Sequence, residues 1–234
     1  RIFFISMCMF LILPIFVIII MSFSADQYYM LEDISFTLKW YEEFINDPKW
    51  IAAFKNSLTI GLSATLLSLV VGVPASLWVH DNKKYQNIIM ALVLLPIVVP
   101  PLISGVSWFF AFSYVGMYHN LTNMIVGHFI MGVPFVVICT LVSLEGSEKD
   151  IENLGMVCGA NKYQVFLHIQ LPIILPGILS GTLLAFMASF DDLIISLFLS
   201  DFYTRTVPLE MWSGLRENIS PVILVVTTIT TVIS

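Results

Sequence analysis

An all-α integral membrane protein is the fold class this sequence predicts, and three observations carry that reading. Of the 234 residues 58% are hydrophobic, and only 11% are charged. The mean hydropathy is +0.93. The apolar residues also fall in runs close to the roughly 20 residues a helix needs to cross the hydrocarbon core. Soluble domains average roughly 25% charged residues, and a soluble fold of this composition would expose apolar patches that soluble monomers avoid. The formal charge of −6 and the lack of a basic stripe argue against nucleic acid as a partner.

Six segments are predicted to span the bilayer. The first, residues 2–23, has an apolar run longer than the roughly 7–15 residues of a signal core, so it is expected to be retained, with Pro14 as a tolerated kink. The second, 57–79, is opened by Asn56 and carries Gly61, Ser63, Ala64, Ser68 and Gly72, small residues that let helix backbones approach in lipid. The third, 88–113, holds Pro96, Pro100 and Pro101; the fourth, 123–144, holds Pro134. The fifth covers 173–199, and the sixth starts near Pro221.

The connections differ in character. Residues 24–56 are polar but carry Tyr28, Tyr29, Trp40, Tyr41 and Trp50, aromatics suited to the headgroup level. Helical spacing over 36–45 is closed by Asn46-Asp47-Pro48, which also starts the next helix. A division into residues 1–56, a first span plus an outer amphipathic segment, and 57–234, the transmembrane core, follows. Charge does not fix the orientation. With the first helix starting inside, Arg1, Lys83, Lys84, Lys149 and Lys162 fall on one side and Lys39, Lys49, Lys55, Arg205 and Arg216 on the other.

The most informative connection is 145–172. Ser147 with Asp150 reads as a helix N-cap, and Glu148, Asp150 and Glu152 fill a first turn where the helix dipole favours anions. Ile151, Leu154 and Val157 or Cys158 follow at helical spacing, and Gly159 can act as a C-terminal stop. Asn161 with Gln164 reads as a second N-cap. The second short helix carries Val165, Phe166 and Ile169, and Pro172 fits the first turn of the fifth span. The expectation is helix, sharp turn, helix, then membrane: a docking surface for a soluble partner, or an ordinary interfacial helix pair.

Asp191 and Asp192 are the only acids inside a predicted span. A mid-helix aspartate costs roughly 2.5–3.5 kcal/mol on insertion scales. The pair reads either as a cation-attracting wall or gate of a translocation path, or as a structural element that caps or hydrogen-bonds a neighbouring helix. Trp108, Phe109, Phe110 and Tyr114 offer cation–π surface or ordinary packing. Other chemistry finds no support. His80, His119, His128 and His168 show no metal spacing, and Cys8, Cys139 and Cys158 read as small buried hydrophobes. No phosphate-binding glycine loop and no activated serine is present. Neither catalytic residues nor a bound metal is expected, and the chain is not expected to be an enzyme.

Gly159, Ile169, Leu171 and Pro172 match the G-x9-I-x-L-P half of the coupling loop of ABC-importer permeases. In the full family pattern, E-A-A-x3-G-x9-I-x-L-P, the Glu position is Asn153 here, the alanines are Leu154 and Gly155, and Glu152 sits one place early. FTLKWYEEF (36–44), Asn56-Ser57-Leu58 and LLPIVVPPLISG (94–105) also resemble this family. FDDLIISLFLS (190–200) and TVPL (206–209) are similar to its spermidine/putrescine permease branch. The resemblance implies a type I importer permease with six transmembrane helices, an inside N-terminus and a bacterial inner-membrane location. Its coupling loop would be built from Glu152, Asn153, Gly159, Ala160, Asn161, Ile169, Leu171 and Pro172. Its solute path would be lined by Asp191, Asp192, Trp108, Phe109 and Tyr114. It also implies partners: an ATPase subunit dimer that binds the ATP and Mg, a second permease subunit (identical or not), a periplasmic solute-binding protein, and the bilayer. The expected solute is a polyamine, with ferric iron, thiamine or an organophosphonate as same-family alternatives. A stand-alone channel or ion-coupled carrier, or a scaffold without transport, are the readings from other classes.

Overall fold

The computed structural model describes residues 1–25, 36–118, 120–146, 154–217 and 220–233. Among these residues the fold is helical, apart from one antiparallel bridge between Ser24 and Phe36. The helices are α1 (Ile2–Ser22), α2 (Lys39–Asn46), α3 (Pro48–Asp81), α4 (Gln86–Val98), α5 (Pro101–Tyr114) and α6 (Leu121–Glu145). A helical turn at 154–157 follows. Then come α7 (Lys162–Val165), a π-helical turn (Phe166–Gln170), α8 (Leu171–Phe190), α9 (Ile194–Leu199), α10 (Val207–Glu217) and α11 (Val222–Ile233). Among the described residues, α1, α3, α6 and the continuous run Lys162–Phe190 are long and apolar enough to cross a membrane, and α4 with α5 is a bent apolar pair, long enough together for a broken span or a re-entrant loop. The α11 helix is apolar but shorter, at 12 residues.

Helix thus forms in all six apolar segments, with informative shifts of boundary. The second begins at Pro48 rather than near residue 57 and runs for 34 residues. Asp47 Oδ1 accepts the Lys49 amide at 2.9 Å, and Pro48 at the first helical position has no amide to satisfy. Asn56 therefore lies within the helix, where its side chain donates to the Arg205 carbonyl at 3.0 Å instead of capping. The third segment is not one helix. It is broken into α4 and α5, which are bent by 98°. Pro100 disfavours helical geometry at the residue before it, and Val99 is extended at φ −70°, ψ 131°. Pro101 then opens α5.

Packing groups residues 1–56 with 205–234 in one compact unit and 57–204 in another. In the first, Trp40, Phe44 and Trp50 pack with Val207, Val222 and Val226. Trp40 Nε1 donates to the Ser24 carbonyl at 2.8 Å, and Tyr41 stacks on Phe23 with centroids 5.0 Å apart. Trp40 and Trp50 are only 4% and 8% exposed, so they are core residues rather than the headgroup anchors expected. The reason is that amphipathic α2 finds a protein neighbour in α11. Tyr28 and Tyr29 lie outside the described residues. Glu210 joins Arg205 at 3.1 Å and Lys49 at 3.6 Å.

In the second unit α6 and α8 lie side by side. Gly177, Gly181, Ala185 and Ser189 form one buried face of α8 at four-residue spacing, the small-residue pattern that allows close backbone approach. A Cβ on Gly181 would stand 2.8 Å from Val136 Cα, and one on Gly177 would meet Ser143 and the Cys139 carbonyl. Cys139 and Cys8 are half-buried, but Cys158 is exposed. It lies on the turn that precedes Gly159, not in a core as expected.

Candidate functional site: the α8–α9 break and the 154–172 hairpin

The predicted fifth span does not continue to residue 199. It stops at Phe190, and α9 begins at Ile194. Asp191 and Asp192 therefore occupy a break between two helices instead of the middle of one. Asp191 is the C-cap of α8 and is exposed, whereas Asp192 is half-buried. Asp192 Oδ2 accepts the amides of Ile195 at 2.8 Å and Ser196 at 3.2 Å. This carboxyl oxygen thus meets otherwise unpaired donors at the start of a helix, one residue ahead of its N-cap Leu193. Ser196 Oγ returns a bond to the Asp192 carbonyl at 3.2 Å.

His128, on α6, completes this cluster and was missed by sequence reasoning. It is 1% exposed. Its Nδ1 shares a hydrogen bond with Ser189 Oγ at 2.9 Å, and its Nε2 lies 3.5 Å from Ser196 Oγ and 4.0 Å from Asp192 Oδ2. Read as one of four scattered histidines, it had no signal. Its contact with Ser189, the last member of the small-residue face of α8, is a tertiary fact.

The aromatic candidates separate. Trp108 and Phe109 are half-buried and pack on the cluster formed by Ile60, Phe112, Met124, Ile195 and Leu199. Trp108 also stacks on Phe112 at 5.8 Å. These two are therefore brought beside α9, the helix that follows the acids. At Gly105 the approach is tight, since a Cβ there would lie 2.5 Å from the Phe198 ring. Tyr114 is not part of this cluster and is 93% exposed at the end of α5. A cavity of about 10 Å³, lined by Phe109, Phe112, Met117, Tyr118, Asn123 and Leu199 among others, has room for about one water.

Beyond α9, Asp201 organises the loop that follows. Its Oδ1 accepts the Tyr203 amide at 2.9 Å, the Thr204 amide at 2.8 Å and the Thr204 hydroxyl at 2.7 Å. Partial burial acts to raise its pKa, but these bonds to the charged form outweigh it and hold the carboxyl below its ordinary value.

At the other end of α8 stands the hairpin. Glu152 and Asn153, with the Ser147 cap, lie outside the described residues. Gly159 has φ +92° and ends the preceding helical turn. The Ala160 amide reaches back to the Gly155 carbonyl at 3.1 Å and the Gly159 amide to that of Met156 at 3.0 Å, a left-handed stop that glycine adopts without penalty. Asn161 and Gln164 form a reciprocal capping box, with both bonds at 2.9 Å. The two arms touch at Gly155, where a Cβ would come within 2.6 Å of Ile169 Cδ1. Leu154, Val157 and Tyr163 are exposed at 62%, 84% and 70%. Asn161 and Lys162 are exposed as well, while Ala160 is half-buried.

No break separates the second arm from the span. Residues Lys162–Phe190 form one 29-residue helix, joined by the π turn. There the Leu171 amide bonds the Phe166 carbonyl, five residues back. An α-helical register would drive the Pro172 ring against the His168 carbonyl four residues earlier. The wider turn relieves that clash, so Leu171 and Pro172 open α8 without a kinked linker.

The chain is 27% identical over 226 residues to the spermidine/putrescine transport system permease protein PotC of Haemophilus influenzae, a match covering 96% of this chain and 88% of that one. To the putrescine transport system permease protein PotI of Escherichia coli strain K12 it is 28% identical over 222 residues, covering 91% and 78%. Its fold is similar to that of a chain in the bacterial alginate ABC transporter in complex with an alginate pentasaccharide-bound periplasmic protein. That match has a TM-score of 0.72 and 17% identity, and it covers 98% and 86% of the two chains. Residues 64–234 match the model of the binding-protein-dependent transport system inner membrane component. The chain belongs to that family, as a multi-pass inner-membrane permease subunit of an ABC importer rather than an enzyme.

Proposed function

We propose that this permease carries a small organic cation of the polyamine class, and that the acid pair at the α8–α9 break forms part of its route. The observation that carries the reading is the placement of two adjacent carboxylates, one exposed, at a helix break at the end of the Lys162–Phe190 span. Carboxylates there replace part of the hydration that ammonium groups lose. Trp108 and Phe109, beside α9, supply aromatic surface near the route, and Tyr114 supplies it at the exposed end of α5. Support for the solute class also comes from the names of the similar permeases, which transport spermidine and putrescine.

The working assembly is this chain with a second permease subunit, an ATPase dimer that holds the nucleotide and Mg, and a periplasmic binding protein that delivers the solute. Glu152, Asn153, Gly159, Ala160, Asn161, Ile169, Leu171 and Pro172 belong to the loop that seats in the ATPase. Nucleotide binding draws the hairpins together, and the continuous helix from Lys162 to Phe190 transmits that movement along its length of about 43 Å, at 1.5 Å per residue. The test is uptake of labelled spermidine or putrescine by the reconstituted assembly. Saturable ATP-dependent uptake, reduced about tenfold or more by Asp191→Asn with Asp192→Asn, is the expected result. Uptake that ignores both changes, or a complex that transports no polyamine, rejects the reading.

A further inference from the structure

The two acids at the break are not equivalent. The Asp192 carboxylate is turned into the protein, held by the Ile195 and Ser196 amides. Those bonds are local and would travel with α9 wherever it went. Apolar packing of Ile195, Phe198 and Leu199 holds α9 against α5 and α6, and His128 adds polar contacts at the break itself. From α6 its imidazole reaches the last turn of α8 through Ser189 Oγ at 2.9 Å. On its other side it faces Ser196 Oγ at 3.5 Å and Asp192 Oδ2 at 4.0 Å. One rigid ring, 1% exposed, thus contacts both helices that flank the break. An apolar side chain in its place offers polar atoms in neither direction.

We propose that His128 is a positioning residue for Asp191: by bonding the last turn of α8 and contacting the start of α9 beside the inward-turned Asp192, it sets the direction in which the exposed Asp191 carboxylate is presented. This rests on the reading of the acid pair as part of the solute route, and it divides the pair into an anchor, Asp192, and a presented group, Asp191.

The experiment uses the assembled transporter in membranes, with Cys8, Cys139 and Cys158 replaced by Ala and Asp191→Cys introduced. The rate at which a small cationic methanethiosulfonate labels position 191 is compared among the His128 protein, His128→Ala and His128→Gln. Tyr203→Cys, at a residue 81% exposed, serves as the control site. The expected result is a change of about fivefold or more at position 191 in His128→Ala, the factor that loss of one hydrogen bond corresponds to. His128→Gln, which keeps a polar amide, returns the rate to within about twofold, and the control does not move. Should His128→Ala fail to assemble, Ser189→Ala removes the same bond from the other side and is read in its place. Any other pattern overturns the proposal: equal rates in His128→Ala, a matching change at position 203, no return with Gln, or no labelling at 191 when His128 is intact. Labelling does not depend on which solute is carried, so a failed polyamine assay leaves this result standing and the two failures can be told apart.

Discussion

Asp192 sits where an acid is expensive, yet its surroundings return much of that cost. Burying a carboxylate is costly unless it is paired or hydrogen-bonded, and this half-buried one, in the break beyond α8, accepts two hydrogen bonds from the start of α9. Asn ranks beside Asp as a cap, while Ala does not. Asp192→Ala is therefore expected to destabilise the protein by about 0.5–2 kcal/mol and Asp192→Asn by clearly less, read as thermal unfolding of the purified assembly. Equal losses would mean that the charge, not the cap, holds the break. At this scale the sequence was legible where the partners are close along the chain. Asp47-Pro48 started α3, Asn161 paired with Gln164, and Gly159 stopped its helix because each signal acts within four residues. His128 was not legible, since its partner Ser189 lies 61 residues away and nothing in the spacing announces their meeting.

Helices were legible by apolar length but not by their joints. The prolines of the third segment were visible, yet a tolerated kink and a 98° elbow begin from the same residues; the adjacent pair Pro100-Pro101, unlike the single Pro14 and Pro134, leaves two successive positions without a donor. The π turn at Phe166–Gln170 was invisible because it depends on how one proline ring is accommodated. It makes α7 rotationally continuous with α8. Deleting His168 takes the extra residue out of the π turn and is expected to rotate α7 by about 100°, with the Pro172 ring then kinking the helix against the carbonyl four residues earlier. The hairpin would then face the wrong way, and ATP hydrolysis stimulated by the loaded binding protein would fall about tenfold, while His168→Ala would leave it unchanged. The α6–α8 pair makes a second prediction at this level. Gly181→Ala confronts backbone, with Val136 Cα only 2.8 Å from the new Cβ, whereas Gly61→Ala meets the Phe186 ring at 3.1 Å, which can yield. The first is expected to cost about 1–3 kcal/mol and the second much less, measured by unfolding of the two variants in the same detergent.

Over the whole molecule, composition alone fixed the class, because 11% charged residues in 234 leave no soluble solution. How the chain groups was not readable. Residues 205–234 pack with the first 56, an association of distant segments made through Trp40, Trp50 and Val226, none of which carries a long-range mark. Many apolar side chains remain outward, among them Phe10 at 76% and Leu183 at 63%, surfaces that suit acyl chains or neighbouring polypeptides. The elbow between α4 and α5 asks for something different. Pro100 and Pro101 donate no proton, so the carbonyl oxygens of Pro96 and Ile97 lose the amides that would have quenched them along a straight helix. Bare oxygens of that kind cannot be left against hydrocarbon. The corner must therefore be wetted or shielded, which makes it a fixed point of polarity in an otherwise oily wall.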